Sequence, residues 1–382
     1  MARGSAVVYL DICIPLYFIP LRTDSPQPQY DKRPLTTAAV AAAVCTSYHD
    51  CVMGLDGYKY ILSKMKASRG NQSRLGSFSS IGCATYDFHG DDAVGYGPNY
   101  MVVADGVSGT QKASGILARV LVTETLNALE RLRRKSLLDP IVAIKSSDFG
   151  AEMVRAIRDA RALTRRRGRF DSALTAVYVD AASSLLFVFN VGDCKCVVVR
   201  RNVVVFESDA TIYDFNVPAV VSTMNEIHYP TDAVEIQVAA YEPGDVVMVF
   251  SDGVHDNLYV DQVLRAVASH PNQGADIAKA TVKACRDTFT RHCGYIPFAV
   301  AAAGFCMSAV EEMKANDAIS SADFEAFEAK CRDLPRPHTR AIFGNDKRVK
   351  NLAFYSASNL LTFANKQVGK KDDISVCVGV LA

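Results

Sequence analysis

The chain has 382 residues, with 42 Lys+Arg against 41 Asp+Glu for a formal net charge of +1; it is 49% hydrophobic and 22% charged. That balance excludes wholesale disorder and a fibrous composition, and it argues against a protein held on nucleic acid by bulk charge. The length suffices to bury a large core, as two or three domains or as one large β-rich domain.

Along the chain, residues 1–75 read as an irregular N-terminal extension: 25–34 is rich in Pro and Gln, 36–45 in Ala, and 54–74 is polar and basic with turn residues. From Phe78 the pattern changes to short runs rich in Val, Phe and Tyr, closed by Gly and Asp. The runs 100–104, 173–179, 185–191, 196–199, 203–206, 245–250 and 374–380 have the length, composition and turn boundaries of strands. Between them, 114–135 places Leu117, Leu121, Ala128 and Leu132 on one helical face, and 151–167 does the same with Met153, Ile157 and Ala160. Segments 261–269 and 276–289 repeat that periodicity. The strands come as neighbouring hairpins rather than alternating with helices, so the expected class is α+β, with helices on the outer faces of an antiparallel sheet stack.

Eleven cysteines are scattered from Cys13 to Cys377 without repeated C-x-x-C pairs, the pattern of reduced thiols rather than a disulfide framework. Cys194 and Cys196 read as alternating strand residues, since no second Cys/His pair is near enough to complete a zinc site. The apolar stretch 6–21 carries Asp11, Pro15 and Pro20 and is shorter than the roughly 20 residues a spanning helix needs; 298–310 is shorter still. Asp11 and Asp24 spoil the acid-poor pattern of an organelle transit peptide. The expectation is an intracellular, cytoplasmic monomer without a transmembrane segment or nucleic-acid partner, with a mitochondrial address left open.

The most informative feature is where the aspartates fall. Gly90-Asp91-Asp92, Ala104-Asp105-Gly106, Gly192-Asp193, Ser251-Asp252-Gly253 and Lys371-Asp372-Asp373 each set an acid in a tight turn beside a strand-like run. Hard cations such as Mg²⁺ and Mn²⁺ take carboxylate, carbonyl and water oxygens, and two of them about 4 Å apart can lower the pKa of a shared water and aim it at phosphorus. A Gly after the Asp lets the backbone approach, so that a carbonyl can join the ligands. Asp-Gly at a strand end is also an ordinary turn, and on the residues alone both readings stand.

The stretch GDDAVGYGPNYMVVADGVSG resembles the opening motifs of the metal-dependent protein phosphatases, the type 2C serine/threonine family. FNVGDCKCVVVRRNVVVFESD resembles its central hairpin, and GDVVMVFSDGVHDNL and GKKDDISVCVGV its two closing motifs, in the same order over residues 78–307 and 366–382. Phe215-Asn216-Val217-Pro218 and Tyr295-Ile296-Pro297-Phe298 look closest to the branch typified by the mitochondrial matrix member. The resemblance implies an α/β/β/α four-layer sandwich spanning 76–382, two antiparallel sheets flanked by helix pairs. It also implies a Mn²⁺- or Mg²⁺-dependent hydrolase with two ions and room for a third, acting on phosphoserine or phosphothreonine in a protein. Asp91 then matches a ligand of one metal, Asp92 the group that orients the attacking water, and Asp105 the carboxylate bridging both metals, with Gly106 giving its carbonyl. Asp252 and Asp372 match ligands of the other metal and Asp193 the additional-metal position; Asp373 is read as a supporting neighbour.

Two departures accompany the match. Asp87 stands where many members carry a phosphate-binding Arg, and Val107 where many carry a proton-donating His, leaving that step to water or His89. Residues 308–365 have no counterpart in the compact family core and read as an insert, a lid or docking element with an acidic helix at 321–332. Arg155, Arg158, Arg165 and Arg169 form a basic stripe, either a solvated helix face or a site for an acidic partner. His255 reads as a structural hydrogen-bonding residue or a substrate contact. The rival functions are a pseudophosphatase scaffold and a phosphatase of small metabolites.

Overall fold

Runs of Val, Ile and aromatic residues separated by tight turns build two antiparallel sheets. One has the order β1 (Phe78–Tyr86), β14 (Ile374–Leu381), β12 (Val246–Phe250), β6 (Lys195–Arg200), β7 (Val203–Glu207). The other runs β11 (Ile236–Ala240), β5 (Leu185–Val191), β4 (Asp171–Asp180), β3 (Tyr100–Gly106), β2 (Ala93–Gly97), with β10 (Val221–Ser222) added to β4. The computed structural model describes residues 77–107, 115–138, 142–224, 236–292, 294–316, 321–335, 340–344, 346–348 and 357–382. By its contacts the chain divides into Met1–Asn71 and Gln72–Ala382, and the extension expected at 1–75 lies outside the described residues.

Period-two alternation assigns each strand face to a layer. In β12, Val246, Met248 and Phe250 face one core while Val247 and Val249 face another. In β3, Tyr100, Val102 and Ala104 belong to a third core while Met101 and Val103 share the one that holds Val247 and Val249. That shared core fills the space between the sheets. Helices α1 (Gly115–Leu138) and α2 (Ser146–Thr164) cover the β3 sheet through Leu117, Leu121, Phe149 and Met153. On the opposite side α3 (Asp252–His255), α4 (Val260–Ser269) and α5 (Gly274–Thr288) cover the β12 sheet through Val254, Val263, Ile277 and Val282. The result is the expected four layers: helices, sheet, sheet, helices.

Differences from the sequence reading have local causes. Strand β1 carries Ser79, Ser80 and Gly82, and β2 carries Gly95 and Gly97, so neither shows the β-branched run that marks a strand. Helix α2 starts at Ser146 rather than at 151: Phe149 is fully buried, its ring 6.0 Å from Phe187 and 6.5 Å from Tyr178, and that packing holds the extra turn despite Gly150. The apolar stretch at 298–310 lies within α6 (Pro297–Asn316), an Ala-rich sequence of high helix propensity. Its first half packs with Phe215, Leu334 and α8 (Ala357–Ala364) in a fourth, smaller core. Helix α7 (Ser321–Cys331) falls where the acidic helix is expected. A three-stranded sheet joins β13 (Asp346–Arg348), in parallel, to β8 (Ala210–Asp214), which pairs with β9 (Val217–Pro218). Among the described residues no helix is long and apolar enough to cross a membrane.

Phe189 is fully buried between the β4 sheet and its helices. Truncation to Ala leaves a cavity that close-packed neighbours cannot refill, and is expected to lower the unfolding free energy by about 3–5 kcal/mol in a urea titration followed by circular dichroism.

Candidate active site

Strand register brings the acidic corners to one end of the molecule. Asp105 ends β3 opposite Ala173 of β4, and Ala104 lies opposite Ala93, so Asp91 and Asp92 enter β2 at that same end. Leu174 pairs with Val191, which puts Gly192-Asp193 there too. In the other sheet Phe250 lies between Lys195 and Val376, so Asp252 leaves β12, and Asp372 enters β14, beside Asp193. The alternation that sends Met101 and Val103 between the sheets carries on to Asp105. The cluster thus closes one end of the inter-sheet core. Gly192, at φ +100°, makes the turn ahead of Asp193, a conformation that residues with a Cβ rarely adopt. At Gly253 a Cβ would overlap the carbonyl oxygen of Asp373, so only glycine lets the Asp252 turn sit against the start of β14.

Asp373, left outside the site on sequence grounds, anchors it. Its Oδ1 accepts the backbone N–H groups of Phe88, of His89 at 2.6 Å and of Gly90 at 3.1 Å, and its Oδ2 accepts that of Asp91 at 2.6 Å. One carboxylate from the last strand therefore organises the turn that presents Asp91 and Asp92. Asp91 Oδ1 accepts the Gly115 N–H, 3.1 Å away at the start of α1, where the helix dipole favours an anion. Asp92 Oδ2 accepts the Ser251 hydroxyl at 2.7 Å, and Ser251 is held in turn by the Ser375 N–H at 3.0 Å. Asp92 Oδ1 is buried with no hydrogen-bond partner.

Burial followed by mutual repulsion pushes Asp105 well above the usual carboxylate range, with Asp92, Asp252, Asp193 and Asp372 all contributing. Burial also raises Asp92 strongly. Asp193 is pushed up to about 8 and Asp372 to about 6, in each case first by burial and then by Asp252. Burial alone would raise Asp252 as well, but the ammonium of Lys370 holds it below its usual value. Lys370 Nζ lies 2.7 Å from Asp252 Oδ2, 2.6 Å from Asp256 Oδ2 and 3.0 Å from Asp372 Oδ2. Asp256 was not picked out by sequence reasoning, and burial lifts it to about 7. The donor set suits a hard divalent cation in kind: buried, mutually repelling carboxylates and an orphaned oxygen on Asp92. As placed, no group of three His, Cys, Asp or Glu side chains among the described residues could hold a metal ion.

The remaining candidates divide. His255 Nε2 lies 3.0 Å from the backbone carbonyl of Asp193, the structural bond considered for it. Lys195 pairs with Glu207 at 3.1 Å. Asp87 is exposed where the resemblance would have placed an arginine; the arginine at this turn is Arg119, whose Nη1 donates to the Gly90 carbonyl at 3.0 Å. In the basic stripe, Arg155 pairs with Glu152, Arg158 with Asp159 and Arg169 with Asp171, all at the surface. A cavity of about 70 Å³ opens beside the cluster, lined by Asp193, Asn216, His255 and Asp256 on one side and Phe215 and Phe298 on another.

Two expectations follow from this geometry. Asp373→Ala strips the acceptor from four backbone N–H groups, so it should lower stability by about 3 kcal/mol and release the turn at 88–91. Urea unfolding and hydrogen exchange at His89 and Gly90 read both effects. For the metal-free protein, Asp193, Asp256 and Asp372 titrate near 8, 7 and 6 when folded against roughly 3.9 when unfolded. Their protonated forms favour the fold fully below about pH 4, and that contribution is lost as pH rises through 6 to 8. The thermal midpoint of metal-stripped protein should therefore fall between pH 5 and pH 8.5, and Mn²⁺ should raise it more at pH 8 than at pH 5.

The chain matches the family description "Protein phosphatase 2C" over residues 87–287. Probable protein phosphatase 2C 80 of Arabidopsis thaliana is 27% identical over 177 residues, 46% of this chain and 38% of its own length. Putative protein phosphatase 2C 24 of Oryza sativa subsp. japonica is 33% identical over 115 residues, 28% of this chain and 36% of its own. The matched stretches thus span little more than a third of these curated relatives. The X-ray structure of the photosystem II phosphatase PBCP shares the fold, with a TM-score of 0.51 at 18% identity, covering 79% of this chain and 98% of that one. The family match takes in the turn before β2, the Asp105 strand end, the Asp193 corner and the Asp252 turn, four of the places where the structure gathers its carboxylates: the chain belongs to the protein phosphatase 2C family.

Proposed function

We propose that the chain hydrolyses phosphomonoesters on serine or threonine of a protein substrate, with Mn²⁺ or Mg²⁺ held by the carboxylate cluster. The observation that carries this reading is the meeting of Asp92, Asp105, Asp193, Asp252 and Asp372 at one end of both sheets, buried or half-buried, with Asp105 and Asp252 within reach of their neighbours' charge. Anions crowded in this way oppose folding unless cations or protons offset them. Asp91, Asp105 and the Gly106 carbonyl would hold one cation, Asp105, Asp252 and Asp372 a second, and Asp193 an additional one. When bound, such cations supply Lewis-acid charge to a phosphoryl oxygen and lower the pKa of a water between them. Asp92, fixed by the Ser251 hydroxyl, orients the attacking water through its free Oδ1. The Asp373 clasp keeps Asp91 and Asp92 in place, and the shallow cavity beside Asp193 admits the phosphorylated side chain.

The finer parts of the reading have their own support. Leu360 and Ala364 pack with Phe215 and Phe298, which also line the cavity; this supports residues 308–365 as an insert of the 76–382 domain that caps the substrate side, with 1–75 as an extension. Phe215 and Phe298, from the two segments likened to the mitochondrial-matrix branch, meet at 5.0 Å between ring centroids; the branch itself rests on that likeness alone. Seven described cysteines are in no disulfide, in keeping with an intracellular protein, and a monomer acting on protein rather than nucleic acid remains the reading. The scaffold alternative draws on Asp87 and Val107, which supply neither a phosphate-binding cation nor a proton donor.

The test is hydrolysis of an aryl phosphate and of a phosphothreonine peptide with Mn²⁺, with Mg²⁺ and with EDTA, for the native protein and for Asp105→Asn. Turnover should require metal, and the substitution should lower it at least about 100-fold, while the metal-free fold is kept or made more stable because one repelling charge is gone. Metal-independent turnover, or full activity in Asp105→Asn, would remove the assignment. A folded protein inert on both substrates would favour the scaffold, and activity on the aryl ester alone the small-metabolite reading.

A further inference from the structure

Lys370 brings a cation into the carboxylate cluster. Its ammonium bridges three carboxylates from two separate segments: Asp252 at 2.7 Å, Asp256 at 2.6 Å and Asp372 at 3.0 Å. The lysine side chain is only 16% exposed. Its backbone is fixed as well as its charge. The Lys370 carbonyl accepts the Asn257 amide at 2.9 Å, and the preceding Gly369 N–H donates to the Thr288 carbonyl at 2.9 Å. The stem therefore enters the site from a defined point, and its four-carbon length leaves the head free to move. A second resting place adjoins the first. Asn216 Oδ1 is 3.3 Å from the ammonium, and the Phe298 ring centroid is 5.1 Å away, within the range in which an aromatic face attracts a cation.

We propose that Lys370 is a tethered competitor for the divalent cation: its ammonium occupies the Asp252–Asp256–Asp372 face of the site, and a metal ion gains those carboxylates only by displacing it toward Asn216 and Phe298. The inference rests on the proposed metal-dependent function and adds to it a residue that sets metal affinity. Two opposite charges within 3 Å in a buried setting attract strongly, so the ion pairs take the place of metal in the metal-free protein and lower the net affinity when metal arrives. The side of the site around Asp252 and Asp372 therefore binds metal more weakly than its carboxylates alone would.

The experiment is calorimetric titration of metal-stripped full chain with MnCl₂, for the native protein, Lys370→Met and Lys370→Arg, with a thermal scan of each before and after Mn²⁺. Methionine keeps the length and removes the charge, so Lys370→Met should bind Mn²⁺ at least tenfold more tightly, melt lower without metal and gain more on adding it. Lys370→Arg keeps the charge and should bind Mn²⁺ no more tightly than the native protein. Equal or weaker Mn²⁺ binding by Lys370→Met overturns the proposal while leaving the metal-dependent reading intact; absence of Mn²⁺ binding to any of the three overturns both. A readout on the native chain covers the case in which the methionine variant does not fold: acetic anhydride labelling followed by mass spectrometry. Lys370 should be protected without metal and become labelled as Mn²⁺ saturates the site. Protection unchanged by saturating Mn²⁺ would count against displacement.

Discussion

Repulsion among buried carboxylates at one end of two stacked sheets is the constraint on which the rest of this structure depends. Asp92, Asp105, Asp193, Asp252 and Asp372 are close enough for each to feel its neighbours, and no amount of apolar packing behind them removes that cost. The fold answers it with rigidity and with counter-charge. Strand ends pinned by ladder hydrogen bonds hold the acids where they would not choose to be, and the inter-sheet core of Met101, Val103, Val247, Val249 and Cys377 directly behind gives that frame its stiffness.

Two side chains carry much of the local organisation, and they do opposite things. Asp373 spends its charge on four backbone N–H groups of residues 88–91, while still repelling Asp92, so an acid at the start of the last strand shapes the turn ahead of β2. Lys370, three residues earlier, brings positive charge inward to Asp252, Asp256 and Asp372. The segment 369–373 is thus both the clasp and the counter-ion of the site. Because β14 is bonded on both sides, to β1 and to β12, whatever displaces that segment is felt along the first sheet.

The surroundings of the cluster are apolar on one side and polar on the other. An aromatic group of Phe215, Phe298, Phe305 and Phe363 stands on one side. On the other side Arg119 approaches the Gly90 carbonyl, while Asp87 remains an exposed acid.

Local chemistry in the sequence was enough to mark most of the sheets and the acidic corners. The β-branched runs of β4, β5, β12 and β14 and the strand–Asp–Gly turns at Asp105 and Asp252 each depend on neighbours within a few residues, and alternation alone separates Val247 and Val249 from Met248 and Phe250. Strands β1 and β2 stayed illegible because serine and glycine there are held by pairing partners hundreds of residues away or by a packed helix, not by propensity. The charge balance of the site was equally hidden. Lys370 meets Asp252 across 118 residues and Asp373 meets Asp91 across 282, and nothing local tells which of Lys370 and Lys371 turns inward. Local residue patterns set what kind of chemistry the corners could support. Register and chain entry, which only the tertiary structure decides, determined which atoms offset their charge, because a Coulomb interaction depends on distances in space and not on separation along the chain.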